Sequence, residues 1–319
     1  MYFPYLRARQ NEIFAVREAV PAIAQRRKVR PILEPVRQGQ PVTQLLTCAQ
    51  ALENNGLPYL LVENPTVGHY RNLPPATLRN EAMLPACGMG TSCIPAFIVG
   101  AGTTLAAVSA FLNRYANRPV ALIHETSFQN GAGLVGLVQA AGNVQHHIFR
   151  QPGTSTAYQH LFPGLNAVLT DVVSTRANNA AYANPPVMEH FTSEHLHFQQ
   201  NGFGGFSDYG TIGRAHREDD GGGGTRAVAI HLTYPDVNDV VWIRHFVSDD
   251  QISVGRVSQK SLEAAQHLVA FAQGTPSIQC SSAVADWQQS VAAQHGRGLG
   301  VLKRWSMRHH MELMDRLVP

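Results

Sequence analysis

Carboxylates end several apolar segments of this chain, and their recurrence is the strongest chemical signal in the sequence. Each segment is a short apolar run without polar alternation, and turn-forming residues follow it. Such runs are typical of strands buried on both faces of a parallel sheet. Because α/β barrels and open α/β sheets form their sites at the C-terminal ends of strands, the carboxylates predict a shared site. These residues are Glu34, Glu63, Glu125, Asp171 and Asp208.

The same carboxylates also have a purely structural explanation. Acidic residues often follow strands because they begin the next turn or cap the next helix. For any one of these residues, capping is the more common role. The functional hypothesis therefore rests on their recurrence.

The arginines of the first predicted strand suggest what the site binds. Over residues 2–9, a period of two places Arg7 and Arg9 on one face near the strand's C-terminal end. Because a guanidinium group can bind a phosphate bidentately, we predict that both arginines bind substrate. His309, on an amphipathic helix where it or His310 faces inward, is a further substrate-binding candidate; an ordinary core position is its alternative.

The carboxylates then supply the predicted chemistry. A group of carboxylates suits a hard divalent cation that activates water for phosphoester hydrolysis, although the sequence identifies no particular metal. The alternative is a set of buried ion pairs between the same arginines and carboxylates, with no ligand. The predicted catalytic residues are Glu34, Glu63, Asp171 and Asp208.

Composition limits the classes of protein that fit. The chain has 319 residues, of which 15% are charged, and a net charge of +3 that is too small to indicate nucleic-acid binding by itself. It contains no CxxC pair, Gly-x-Ser-x-Gly elbow or His-Glu-x-x-His motif, which disfavours zinc-site, serine hydrolase and zinc protease interpretations. Without a signal-like N-terminus or a long apolar run, we expect a cytoplasmic protein with no membrane association.

The elements that position these residues follow an alternation of strands and helices. The intervening connections are too long for hairpins, so the pattern predicts parallel βα units closed into a (β/α)8 TIM-barrel-like fold. We expect a single domain over residues 1–319, with elaborations at 174–205 and 214–257. The predicted strands span residues 2–9, 31–35, 57–63, 93–99, 120–126, 144–149, 165–173 and 206–212.

The remaining segments predict additions to the barrel. The first helix is expected to begin at an Asn11 cap, and a short helix is predicted near 187–199. Residues 228–234 and 240–247 alternate and read as a β-hairpin, and the glycines at 221–224 predict a mobile loop. The other predicted helices span residues 42–54, 75–84, 103–115, 131–141, 258–273, 283–294 and 299–318.

Several short motifs lie in order along nearly the whole chain. The N-terminal pattern is Tyr-x-Pro-Tyr-Leu-Arg-x-Arg over residues 2–9, followed by Glu12 in a helix and Arg-Pro-Ile-Leu-Glu-Pro over residues 30–35. Ser-Asp-Tyr-Gly follows at 207–210 and Trp-x-x-x-His-His at 305–310. Together these motifs resemble the bacteriophage beta-protein group and its bacterial, defence-associated relatives. The resemblance implies a barrel-like α/β fold and an association with phages or anti-phage gene clusters beside nuclease-like neighbours. It implies no established reaction.

Two functional hypotheses remain from the sequence. The first is an enzyme, of hydrolase or phosphodiesterase type, that acts on a nucleotide, a nucleic-acid end or a phosphoester through the arginines and carboxylates. The second is a non-catalytic scaffold that binds a nuclease-like neighbour protein. Because barrels host unrelated functions, the fold cannot choose between them.

Overall fold

The structure is a computed structural model that describes residues 1–215 and 225–319. The predicted mobile glycines at 221–224 lie outside these residues. The described chain groups into two compact units, and the expected single domain with its two elaborations stays a prediction. The first unit comprises Met1–Ile13, Arg27–Asp171 and His197–Asp208, and the second comprises Phe14–Arg26, Val172–Leu196 and Tyr209–Pro319.

A closed barrel of eight parallel strands forms the first unit and confirms the predicted (β/α)8 architecture. The strand order is β1-β2-β3-β4-β5-β6-β7-β9, so neighbouring strands in sequence pair in space until β9 closes the sheet against β1. The barrel strands are β1 (Tyr2–Leu6), β2 (Ile32–Leu33), β3 (Tyr59–Val62), β4 (Cys93–Val99), β5 (Val120–His124), β6 (Val144–Arg150), β7 (Leu165–Thr170) and β9 (Gly205–Asp208).

Apolar strand composition explains the barrel. Every residue of β1, β2, β3 and β5 is buried, as expected of strands covered on both faces. Each barrel strand pairs in parallel with the next, for example Tyr5 beside Ile32 and Ile32 beside Leu60. The carboxyl ends of all eight strands therefore lie at one end of the barrel.

Helices alternate with the barrel strands and continue after them. They are α1 (Gln10–Arg26), α2 (Gln40–Asn54), α3 (Pro75–Leu78), α4 (Leu84–Gly88), α5 (Leu105–Arg114), α6 (Gly131–Ala141), α7 (Thr156–Gln159), α8 (Glu194–His197), α9 (Val257–Gln273), α10 (Ser282–Ala292) and α11 (Leu299–Leu317). A π-helical turn, Arg79–Met83, joins α3 to α4, and 3-10 turns form at His69–Asn72, Asn179–Ala183, Gly210–Ile212 and Pro276–Ile278.

The start of α1 differs from the prediction. The helix begins at Gln10, so Asn11 lies inside it and is not its cap. The chain turns out of β1 at Ala8, whose φ of 46° is in the left-handed region, and this turn brings Gln10 directly into the helix. The cap position is Arg9, so the Asn11 cap prediction is wrong by two residues.

The second unit contains an antiparallel sheet of three strands in the order β10-β11-β8. Its strands are β8 (Met188–Thr192), β10 (Ala229–Pro235) and β11 (Val241–Val247), and the β10–β11 pair confirms the predicted hairpin. The predicted short helix near 187–199 forms only over Glu194–His197, because residues 188–192 are instead a strand that pairs with β11. Pairing with β11 satisfies the backbone of this polar segment, a tertiary contact that local sequence does not reveal.

An apolar core connects the elements of the second unit. Ile230 and Leu232 of β10 and Phe246 of β11 cluster with Trp287 of α10 and Trp305 of α11. The two tryptophan rings meet edge to face with centroids 5.7 Å apart, which is a favourable aromatic arrangement. Across residues 1–215 and 225–319, no helix combines the length and apolar character needed to cross a membrane.

Candidate active site at the C-terminal end of the barrel

A contact across the barrel identifies its inner face. β1 and β6 are not neighbours in the closed sheet, yet the ring centroids of Phe3 and His146 are only 5.3 Å apart. Because side chains alternate along a strand, Tyr5 and Arg7 lie on the same inner face as Phe3. The pairing of Tyr5 with Ile32 then places Glu34 beside Arg7 on that face.

Glu34 is fully buried at the end of β2 and forms an ion pair with Arg7. Its Oε2 atom accepts hydrogen bonds from Arg7 and from the Tyr5 hydroxyl at 2.8 Å. Its Oε1 atom accepts the Thr66 backbone N–H at 2.7 Å and the Thr66 hydroxyl at 3.2 Å. Both oxygens are thus engaged by neighbouring groups, which is the arrangement expected of the ion-pair alternative.

A second ion pair lies on the inner face, between Glu125 and Arg150. The pairing of His124 with Phe149 places the next two residues, Glu125 and Arg150, side by side. Arg150 Nε lies 3.1 Å from Glu125 Oε2. Glu125 ends one of the recurrent apolar runs, but the sequence did not single it out as catalytic. Arg150 was missed because the predicted strand stopped at residue 149.

Asp171 follows β7 directly and is exposed to solvent. β6 and β7 pair with Arg150 beside Leu169. Continued alternation from Leu169 therefore puts Asp171 on the inner side of the rim. Of the four predicted catalytic residues, Glu34 and Asp171 are on this side.

Glu63 and Asp208 lie at the same end of the barrel but on its outer face. Glu63 forms ion pairs with Arg114 of α5 and with Arg79, at 3.4 Å, in the helical layer. Asp208 accepts a hydrogen bond from the Tyr2 hydroxyl at 2.7 Å, and Tyr2 is on the opposite face of β1 from Phe3. The four predicted carboxylates therefore do not converge, because alternate positions at the strand ends point to opposite faces.

Glu12 is a buried carboxyl group beside the predicted arginines. It lies in the first turn of α1, is only 5% exposed, and accepts hydrogen bonds from the backbone N–H groups of Arg7 and Arg9. Its Oε2 atom is buried and has no hydrogen-bond partner in the described part of the chain. Burial raises the pKa of Glu12 to about 7, although the arginine charges and the two backbone hydrogen bonds lower it.

Such a carboxyl group can act as a general acid or base at neutral pH, because both of its protonation states are populated. In the sequence, Glu12 is part of the motif that carries the resemblance and was not predicted as a site residue. Its signal in the sequence was an acidic residue three positions after Arg9, in the first turn of the helix. Arg9 is half-buried at this turn.

His309 belongs to the second unit, where its ring is fully buried. Its Nε2 atom lies 2.7 Å from the backbone oxygen of Thr233, so Nε2 carries the proton and donates. Burial is the main cause that lowers the pKa of His309 to about 3. A neutral ring bonded to the main chain fits the core position that the sequence left as an alternative.

The predicted metal site would need several ligand side chains close together. Across residues 1–215 and 225–319, no three histidine, cysteine, aspartate or glutamate side chains come together in a way that could hold a metal ion. At the inner rim, Glu34 and Glu125 are instead engaged by arginines.

The barrel and its rim define a (β/α)8 protein with buried, charged residues at the C-terminal ends of its strands. No family model matches the chain, and no curated protein matches it. Among solved structures it is similar to a chain from Coccidioides immitis described as a "putative dihydrodipicolinate synthase family protein", with 12% identity and a TM-score of 0.35. The match covers 53% of this chain and 59% of that one, and at this level carries no conclusion about substrate or reaction.

Proposed function

We propose that this barrel is an acid–base enzyme for a phosphate-bearing substrate, and that Glu12 transfers the proton. The observation that carries the proposal is the buried carboxyl group of Glu12, in the first turn of α1 and next to the turn that contains Arg7 and Arg9. Within residues 1–215 and 225–319, one of its oxygens has no hydrogen-bond partner. The substrate class is a nucleotide, a nucleic-acid end or another phosphoester. The reaction type is hydrolysis.

The arrangement around Glu12 supports this division of roles. Arg7 is held by Glu34, and its guanidinium carbon lies 5.4 Å from the centre of the Tyr5 ring, so its position is fixed before a ligand arrives. A preorganised guanidinium group and the neighbouring Arg9 would bind a phosphate oxygen. The Glu12 carboxylate would take a proton from the attacking water, and the oxygen that leaves phosphorus would end as a hydroxyl group.

The biological setting follows from the resemblance to the bacteriophage beta-protein group. We propose a role in phage biology or anti-phage defence, beside a nuclease-like neighbour protein. The resemblance is carried by the same N-terminal segment, residues 2–12, that contains Arg7, Arg9 and Glu12. No other observation bears on this setting.

The test is a screen of nucleotides and phosphoesters, with and without divalent cations, on the protein purified alone and with its genomic neighbour. Glu12→Gln should reduce turnover by a factor of about 100 or more, because proton transfer contributes at least this much. The pH profile should lose an inflection near the Glu12 pKa of about 7. As a matched control, Glu53→Gln removes a carboxylate that accepts the Thr91 and Ser92 backbone N–H groups, away from Arg7 and Arg9, and should keep activity. Equal activity in wild type and a folded Glu12→Gln would overturn the proposal.

A second function, a non-catalytic scaffold for the neighbour protein, is favoured by one specific observation. The Arg7–Glu34 pair is closed, with both Glu34 oxygens engaged within the barrel. If the barrel is a scaffold, it should copurify with its neighbour, and Glu12→Gln should leave both the complex and the neighbour's activity unchanged. Loss of a chemical activity from the isolated barrel in that variant would reject the scaffold hypothesis.

A further inference from the structure

We propose that Cys87 and Cys93 are a redox-active thiol pair, which a hydroperoxide oxidises to an intramolecular disulfide. Cys87 lies near the end of α4 and Cys93 begins β4, so five residues separate them. Their Sγ atoms are 3.2 Å apart, and both cysteines are free thiols. The proposal does not depend on the function suggested for the barrel rim.

The connecting segment can bring the sulfurs to bonding distance. A disulfide bond is about 2.05 Å long, so the two Sγ atoms must approach each other by roughly 1 Å. The segment between them contains Gly88, the last residue of α4, and Gly90, and glycine has the widest backbone freedom of any residue. A Cβ atom at position 88 would meet no other heavy atom within 4 Å, so there is room for this part of the loop to move.

The two thiols differ in a way that assigns their roles. Cys87 is half-buried, whereas Cys93 is fully buried, so an oxidant reaches Cys87 first. The hydrogen bond from Cys93 is the main cause that lowers the pKa of Cys87, and the Arg118 charge lowers it further. The same hydrogen bond and burial raise the pKa of Cys93. Cys87 is therefore the attacking thiolate and Cys93 the resolving thiol.

Arg118 fixes the surroundings of the attacking sulfur. Its guanidinium group donates hydrogen bonds to the backbone oxygens of Cys87, at 3.1 Å, and Gly90, at 2.8 Å. It also lines a cavity of about 420 Å³, together with Thr91 and the other residues of the segment 113–119. Arg118 therefore holds a positive charge beside Cys87.

The chemistry balances without a bound cofactor. The Cys87 thiolate attacks one oxygen of hydrogen peroxide, the O–O bond breaks, and hydroxide leaves and takes up a proton as water. The resulting Cys87 sulfenic acid is then attacked by Cys93, which forms the S–S bond and releases a second water. Two thiols lose two electrons and two protons, and one peroxide is reduced to two waters. A dithiol reductant reverses the change.

The experiment measures the two thiols directly by mass spectrometry. The full-length protein is treated with dilute hydrogen peroxide, alkylated with iodoacetamide under denaturing conditions, and digested. We expect Cys87 and Cys93 to remain unalkylated, and the mass of the linked cysteines to be lower by two hydrogen atoms. Treatment with dithiothreitol before alkylation should make both cysteines reactive again. Full alkylation of both cysteines after peroxide would overturn the proposal, as would a bond from either one to Cys48 or Cys280.

Variants separate this pair from general cysteine oxidation. Cys93→Ser should leave Cys87 as a sulfenic acid that dimedone traps, whereas wild type should give little adduct. Equal dimedone labelling of the two proteins would contradict the assigned roles. Cys280→Ser removes the exposed cysteine and should form the Cys87–Cys93 bond to the same extent as wild type. Because the wild-type measurement needs no substitution, a variant that fails to fold leaves the proposal testable.

Discussion

Two buried carboxyl groups in the first part of the barrel, Glu34 and Glu12, differ in the number and kind of their hydrogen-bond partners. Glu34, at the end of β2, has a guanidinium group, a phenol, a hydroxyl group and an amide on its two oxygens. Glu12, in the first turn of α1, accepts hydrogen bonds from two backbone amides, and its Oε2 has no partner among the residues that the structure describes.

The difference teaches that burial alone does not decide the state of an acid. A buried carboxylate is stable when a cation and hydrogen bonds replace its lost water, as at Glu34. Where they replace that water only in part, burial favours the neutral form, and the pKa of Glu12 is raised. Glu12, for which we propose acid–base chemistry, thus has weaker compensation for its lost water than Glu34.

The largest expected effect comes from breaking the Glu34 arrangement. Arg7→Met would leave Glu34 buried without its cation, at a cost of about 3–5 kcal/mol in the free energy of unfolding. Urea denaturation measures this cost. The double variant Arg7→Met, Glu34→Leu should recover most of the loss, because it removes the stranded charge as well. If Arg7→Met leaves the free energy of unfolding unchanged, Arg7 mainly contacts a ligand. That result would support the prediction that Arg7 binds substrate.

A pH-dependent effect is expected at Glu12. Its pKa is raised from 4.5 to about 7 in the folded protein, so between these values the native state holds a proton that the unfolded chain has lost. The stabilising contribution of the neutral carboxyl group is therefore complete below pH 4.5 and declines as the pH rises towards 7. Over this interval the change amounts to roughly 3 kcal/mol.

Glu12→Gln makes this linkage measurable. The glutamine side chain stays neutral, so the unfolding free energy of the variant minus that of wild type should increase by roughly 3 kcal/mol between pH 4.5 and pH 7.5. Urea unfolding at a series of pH values gives the curve, with Glu53→Gln as the matched control. A difference that stays flat with pH would show that Glu12 has an ordinary pKa and would remove the comparison with Glu34.

The sequence predicted the barrel well because apolar runs locate buried strands. The predicted ranges 93–99 and 131–141 coincide with β4 and α6. The predicted strand at 120–126 overruns β5 by two residues, because strand pairing stops where the chain turns and composition does not mark that point. The strand at 188–192 was missed because its partner, β11, is distant in sequence.

The candidate site was harder to predict than the fold. A period of two places Glu63 on the face of Tyr59 and Leu61, but β3 is apolar on both faces, so the sequence does not say which face is inward. That information comes only from the closed sheet and the contact between Phe3 and His146. Glu12 was not selected because its raised pKa arises from tertiary burial, which one helix turn does not encode.

The smallest effect is expected on the outer face, at Glu63. Glu63 is buried, but the side chains of its partners Arg79 and Arg114 are 25% and 31% exposed. When Glu63→Gln removes the negative charge, both guanidinium groups can turn to water, and the glutamine oxygen can still accept a hydrogen bond. We therefore expect a loss of only about 1–2 kcal/mol in the unfolding free energy, measured by urea denaturation, and no loss of catalytic activity.

Asp171→Asn, at an exposed inner-rim position, is the stability control, with an expected change within about 0.5 kcal/mol. A cost as large as that of Arg7→Met would show that the outer rim is as closed to water as the inner one. Lost activity with retained stability would instead mean that Glu63 acts in the site despite its outward position.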